Sequence, residues 1–240
     1  MGVTNTTYGT RVDEIADGFY RISTPVAEVP GGFSFNQYLL RDEQPLLFHT
    51  GPRRMFALVE EAIASVLPPR TLELIACSHY ESDECGSMNQ LLAIAPRAVP
   101  ICSRINALVN GDTFDRPARA LADGEVVTTG AHRLRWLDTP HLPHGWECGY
   151  LFDETSRTLL CGDLFTQPGA DNPPLTTGDI LGPSEAMRAQ LDYYSHTKNV
   201  RALVAHVAET RPTTLACMHG SAWQGDGARL LAELANALDR

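Results

Sequence analysis

Over the first quarter of the chain, short apolar runs broken by Gly and Asp give a β pattern. Ile15 to Ile22, interrupted by Asp17-Gly18, reads as a hairpin, and Phe33 to Leu40 and Pro45 to Phe48 read as two further strands. The period then lengthens. Between 53 and 67, Met55, Phe56, Val59, Ala62, Ile63 and Val66 recur at helical spacing, and Pro68-Pro69 stops the helix. A strand from Leu72 to Ala76 follows, then a helical face of Met88, Leu91, Leu92 and Ala95, then a short strand from Val99 to Cys102.

The second half repeats this alternation. Glu125 to Thr129, Leu134 to Leu137, Gly149 to Phe152 and Thr158 to Cys161 are short strand candidates. Gln167 to Gly182, rich in Pro, Gly and Thr, reads as a long surface loop. Helices are expected over Ser184 to His196, Asn199 to Glu209 and Gly225 to Asp239, with a strand from Thr213 to Cys217 between the last two. Two β-rich blocks, each closed by helices, predict an α/β protein with a pair of sheets between helical layers. At 240 residues without an evident linker, the chain is expected to form one domain, 1–240.

Composition removes several function classes. A net charge of -10 argues against a nucleic-acid partner and against an anionic membrane surface. No apolar run reaches membrane-spanning length, and the polar N-terminus carries no signal-peptide pattern. The six cysteines are scattered without a CxxC pair, which suits reduced thiols in a cytoplasmic protein.

The stretch with the densest chemistry is Cys77-Ser78-His79-Tyr80-Glu81-Ser82-Asp83-Glu84-Cys85-Gly86. It packs four potential metal ligands into residues 79–84, immediately after a predicted strand. If the segment is extended, His79, Glu81 and Asp83 project to one side. Asp83 and Glu84 also suit the N-terminus of the helix that follows, but helix capping gives no reason for His79 and Glu81 to share a parity. Three later loops, each just after a predicted strand, carry further candidates: His141 and His144, Asp163, and His219.

This order, HxExDE, then His, Asp and His, resembles the metallo-β-lactamase superfamily. It looks most like the di-iron branch, the flavodiiron proteins and the shorter oxygen-binding di-iron proteins. The resemblance runs from the hairpin at Ile15 to the loop at His219. It implies a four-layer αββα sandwich in which His79, Glu81 and His144 bind one metal, Asp83 and His219 bind a second, and Asp163 bridges them. His144 is preferred to His141 because the family keeps the interval that separates His144 from Asp163; His141 then either supports a ligand from behind or lies in the pocket. The common pattern has histidine where this chain has Glu84. Glu84 either ligates the second metal or turns into the helix and leaves a position open there, and the open site is favoured.

Three imidazoles against three or four carboxylates favour two iron ions, with manganese or zinc as alternatives. Two functions follow from the resemblance. An iron pair binds dioxygen, and reduces or senses it. Alternatively, a dinuclear hydrolase uses a metal-bridging hydroxide on an ester, thioester or phosphoester. Asp83, Glu84 and His141 are the candidate catalytic groups. The chain leaves no room for a flavodoxin domain after His219, so a separate electron-donor protein is the expected partner beside dioxygen or another small molecule; a homodimer stays open. His49 is expected to be a structural hydrogen-bonder, His132, His196 and His206 ordinary histidines, and Tyr80, Trp146 and Trp223 candidate pocket walls.

Overall fold

The computed structural model describes residues 2–239. Its first sheet runs in chain order: β1 (Val3–Asn5), β2 (Thr10–Ala16), β3 (Phe19–Val26), β4 (Phe33–Leu40), β5 (Leu46–Phe48), β6 (Leu74–Ala76), β7 (Val99–Ser103) and β8 (Arg119–Leu121). Strands up to β5 pair antiparallel through tight turns. From β5 to β8 the pairing is parallel, because a helical crossover intervenes each time. The second sheet contains β9 (Val126–Thr128), β10 (Arg133–Asp138), β11 (Gly149–Asp153), β12 (Thr158–Leu160), β13 (Leu175–Thr176), β14 (Thr214–Ala216) and β15 (Ala222–Gln224), in the order β13-β15-β14-β12-β11-β10-β9.

Period-two alternation divides the apolar residues among three cores. Along β4, β5 and β6, Tyr38, Leu40, Leu46, Phe48, Leu74 and Ala76 face the second sheet, meeting Leu134, Trp136, Leu151 and Leu160. Their neighbours Leu39, Leu47 and Ile75 face the opposite way, onto α1 (Phe56–Ala64) and α3 (Met88–Ile94). On the second sheet, Leu137, Tyr150, Leu159 and Leu215 pack beneath α5 (Leu181–Leu191), α6 (Val200–Ala208) and α7 (Gly227–Leu238). The result is the expected helix, sheet, sheet, helix layering.

The differences have local causes. β1, β8, β13 and β15 are two or three residues long with half-exposed positions, too short to display a period. One of them, β13, lies inside the expected 167–182 loop and pairs with β15. A helix not expected from the sequence, α4 (Arg104–Asn110), leaves Ile105, Leu108 and Val109 exposed, so its apolar face does not mark a core. α5 stops at Leu191 rather than His196, where Asp192 turns left-handed with φ 48°. The central motif is extended only as far as Glu81; Ser82–Cys85 form the short helix α2, so Asp83 reaches its neighbours from a helical turn. Among the described residues, no helix is long and apolar enough to cross a membrane.

Candidate metal centre

Four loops at the ends of β6, β10, β12 and β14 converge at one edge of the two sheets. Each turn is built to bring backbone close to its neighbours. Gly162 has φ 51°, and a Cβ there would stand 2.9 Å from Ser78 Oγ. Gly220 has φ 89°, and a Cβ there would meet the Gln167 side chain at 2.5 Å. β4 grips the last loop: Asn36 N–H donates to Met218 O at 2.9 Å, its amide to the carbonyls of Cys217 and Gly220 at 2.9 and 2.8 Å, and buried Arg21 also donates to Gly220 O at 2.7 Å.

The convergence assembles two groups, His79, Glu81, His144 and Asp163, and Asp83, Glu84 and His219. Asp163 joins them. Its Oδ2 lies 3.6 Å from His79 Nε2 and 3.3 Å from His144 Nε2, while its Oδ1 lies 3.4 Å from His219 Nε2. Glu81 Oε2 is 3.2 Å from His79 Nε2 and 3.0 Å from His144 Nε2, and Asp83 Oδ2 is 3.5 Å from His219 Nε2. Metal bonds of about 2.1 Å separate two ligand atoms by about 3.0 Å at a right angle and about 3.4 Å at a tetrahedral angle. The spacing thus fits a shared cation on each side of Asp163. Asp163 Oδ1 is buried without a hydrogen-bond partner, a cost that a cation would remove.

All three imidazoles point Nε2 at the cluster because Nδ1 is engaged elsewhere. His144 Nδ1 donates to Tyr193 O at 2.9 Å and His219 Nδ1 to Ser34 O at 2.8 Å. For His79 the direction follows from a relay. Met218 sulfur only accepts, so His49 Nδ1 donates to it at 2.9 Å. His49 Nε2 therefore accepts from Ser78 Oγ at 2.9 Å, and Ser78 Oγ is left to accept from His79 Nδ1, also at 2.9 Å. Burial holds the His49 imidazole down at about 3, which keeps it neutral as the relay requires. His49 is thus a structural hydrogen-bonder.

Without metal the cluster balances itself with protons. Burial pulls the His144 and His219 imidazoles down, but close contacts with Asp163, with Glu81 and Asp83, reverse this and hold them at about 10 and about 9. Burial raises the Asp163 carboxyl, and its contacts with His144 and His219 overcome that, leaving it well below the carboxylate range. Hydrogen bonds from His144 and His79 hold Glu81 at about 2. Stability from the raised histidines is fully present below the unfolded pKa of 6.5 and is lost as pH rises through about 9 to 10. Metal loading at pH 7 is therefore expected to expel protons from His144 and His219. Titration calorimetry in buffers of different ionisation enthalpy should give heats that depend on the buffer; heats independent of it would contradict this.

Several expectations need correction. Glu84 is 0% exposed, and both its carboxylate oxygens lack a hydrogen-bond partner; its Oε2 is 3.9 Å from His79 Nε2. It is grouped with Asp83 and His219 rather than turned away into its helix, so the geometry does not favour an open position. His141 is exposed at φ 65° and lies outside the cavity over the cluster, so it is no pocket group. Tyr80, Trp146 and Trp223 do not line that cavity either. Its walls are Phe33 and Phe35 from β4, and Met187, Leu191 and Tyr193 from α5 and its exit, around about 480 Å³. Phe33 stacks on the His219 ring at 4.3 Å and Phe35 meets it edge-on at 5.4 Å. Two bulky residues at i and i+2 at the start of β4 were the signal for this wall. Away from the site, His132 pairs with Asp153 at 2.9 Å, and His196 and His206 form exposed pairs with Asp192 and Asp123.

Residues 33–220 match the family model described as ODP family beta lactamase, and the chain belongs to that family. It thereby falls within the di-iron branch of the metallo-β-lactamase superfamily, whose homologues here are flavodiiron proteins. Rubredoxin-oxygen oxidoreductase of Megalodesulfovibrio gigas is 25% identical over 175 residues, covering 71% of this chain and 42% of that protein. Flavo-diiron protein FprA2 of Clostridium acetobutylicum is 29% identical over 150 residues, covering 60% of this chain and 37% of that protein. The chain thus spans well under half the length of these relatives. Among solved structures, rubredoxin oxygen:oxidoreductase from Desulfovibrio gigas superposes with a TM-score of 0.80 at 20% identity, over 94% of this chain and 61% of that one. The flavodiiron protein from Giardia intestinalis gives 0.80 at 16% identity, over 95% and 59%. These two likenesses concern the fold.

Proposed function

We propose that the chain holds two iron ions and binds and reduces dioxygen, with electrons arriving from a separate donor protein. The observation that carries this is Asp163, whose two oxygens face two different ligand groups, one of which contains Glu81. Glu81 and His144 would complete one position with His79, and Asp83, Glu84 and His219 the other. With Glu84 counted, four carboxylates stand against three imidazoles, a set that favours iron or manganese over zinc. The name of the Megalodesulfovibrio relative, which couples rubredoxin to oxygen, supports an external donor and dioxygen as partners.

Bound iron would supply reversible one-electron chemistry and affinity for a diatomic ligand. The protein's share is positioning and exclusion. His79, His144 and His219 keep Nε2 aimed inward through their Nδ1 partners. Phe33, Phe35 and Tyr193 give the cavity an apolar wall, which admits an uncharged gas and limits water near the carboxylates. Protons held on His144 and His219 in the metal-free state would be displaced on loading, so these two imidazoles would not be the proton source for reduced oxygen.

Anaerobic purification followed by metal analysis and optical spectra before and after air tests the reading. Two irons per chain and a new absorption band on oxygenation are expected; zinc with no spectral response and cleavage of an ester or phosphoester would overturn it. Glu81→His is expected to shift metal preference toward zinc, raising the zinc-to-iron ratio in competition loading, because an imidazole replaces a hard oxygen ligand. An unchanged ratio would remove Glu81 from the argument.

A further inference from the structure

We propose that Cys161 and Cys217 form a dithiol that delivers two electrons to dioxygen at the metal pair and closes to a disulfide. This rests on the reading of the site as a dioxygen-reducing iron pair. β12 and β14 are parallel neighbours with Leu160 opposite Ala216, so the next residue on each strand brings Cys161 beside Cys217. The two sulfurs are 3.9 Å apart and both residues are 0% exposed. Neighbouring strands lie about 4.8 Å apart, within the Cα range that a disulfide spans, and the sulfurs need close by only about 1.9 Å to bond.

Each of the two cysteines sits two residues before a member of the cluster, as Cys77 does before His79. Cys161 precedes Asp163 by two residues, and Cys217 precedes His219 by two, so the dithiol borders the bridging carboxylate and a ligand of the second position. Other thiols are engaged differently: Cys85 donates to Glu81 O at 3.0 Å, Cys148 to Leu142 O at 3.1 Å, and Cys77 accepts from the Asn106 amide at 3.7 Å. Both sulfurs are buried, so an oxidant reaches the dithiol through the protein and not directly from bulk solvent.

The chemistry balances. Reducing dioxygen to two waters takes four electrons and four protons. Two ferrous ions becoming ferric supply two electrons. Breaking two S–H bonds and forming one S–S bond supplies the other two, together with two protons, and two more protons come from solvent. Without the dithiol, the same irons supply only two electrons, and reduction ends at hydrogen peroxide.

The test uses the full chain loaded anaerobically with ferrous iron, its content measured first. After one equivalent of dioxygen, acid quench and alkylation with N-ethylmaleimide, non-reducing peptide mapping is expected to show a Cys161–Cys217 linked peptide. Cys77, Cys85, Cys102 and Cys148 should be alkylated, and the metal-free chain should keep six thiols after the same pulse. Cys161→Ala and Cys217→Ala are each expected to release about one hydrogen peroxide per chain where the parent releases none. Six alkylated thiols in the iron-loaded chain, or the same disulfide in the metal-free chain, would overturn the dithiol assignment while leaving the iron reading intact. A chain that holds no iron fails that reading first, and this proposal with it.

Discussion

Asp163→Ala is expected to empty both metal positions together, lowering the content from two metals per chain to none after desalting. The reason is geometric. One carboxylate serves both sides, with Oδ2 toward His79 and His144 and Oδ1 toward His219. Each cation would lose a directly bound charged ligand, so the loss in affinity should exceed the roughly 10–100-fold that follows loss of an outer hydrogen-bond partner. Glu81→Ala provides the contrast, because Glu81 contacts only the first group. It should reduce the content to one metal, held by Asp83, Glu84, His219 and Asp163. Metal analysis of both variants decides the matter. An Asp163→Ala chain that retains one tightly held metal would show that Asp163 belongs to one position only, and the bridged arrangement would fall.

The same substitution acts on the metal-free fold through linkage. The Asp163 carboxyl is held below its unfolded value, so its contribution is present above the unfolded pKa of 3.8 and is lost as pH falls through the folded one. With alanine in its place, His144 and His219 lose the carboxylate contact that helped hold them at about 10 and about 9. Burial, which pulls both down, is then opposed only by Glu81 and Asp83. The metal-free variant should therefore lose stability at neutral pH, and its two imidazoles should titrate at lower pH by NMR.

How much of this was legible in the chain depended on whether a residue announced itself by local order. His79, Glu81, Asp83, His144, Asp163 and His219 each sit in a short polar loop directly after an apolar run, and the structure brings those six together. The cores were legible for the same reason: alternation along β4 to β6 maps Tyr38, Leu40, Leu46, Phe48, Leu74 and Ala76 onto one face and Leu39, Leu47 and Ile75 onto the other. What was not legible came from elements that share no sequence neighbourhood with the ligands. Phe33 and Phe35 lie far upstream on β4, and Met187 and Tyr193 sit on a helix and its exit whose amphipathic pattern is weak. Aromatics adjacent in sequence to the ligands, Tyr80 and Trp146, do not line this cavity and are 42% and 54% exposed. His141 fails similarly, because the left-handed turn at φ 65° directs the chain between it and His144 so that only the latter faces Asp163. Glu84 was expected either to ligate the second metal or to turn into the helix, with the open position favoured, because the residue type alone does not say which way a helical carboxylate points. The switch to helix at Ser82 rotates its carboxylate inward.

Glu84→Met is expected to separate folding from metal binding in opposite directions. In the metal-free chain, burial and the nearby charge of Asp163 hold the Glu84 carboxyl well above the carboxylate range. The folded chain therefore keeps a proton that the unfolded chain releases near 4.5, so stability from this group is present below that value and declines as pH rises above it. Both oxygens are also buried without hydrogen bonds, which costs about 1–3 kcal/mol for a polar group. Methionine fills similar space with no polar atom to desolvate, so the metal-free variant should unfold at higher urea by about 1–3 kcal/mol at pH 7, with the gain narrowing toward pH 4. Loading reverses the order. The position shared by Asp83 and His219 loses a ligand, and its affinity should fall by at least about 10-fold while the position at Glu81 keeps its own. A variant that binds both metals as tightly as the parent would show that the buried carboxylate is no ligand. If that variant were also less stable without metal, Glu84 would be paired within the fold in a way its unpartnered oxygens exclude. A group that destabilises the empty fold yet strengthens one metal position is what a site selected for loading, rather than for folding alone, requires at its most buried acid.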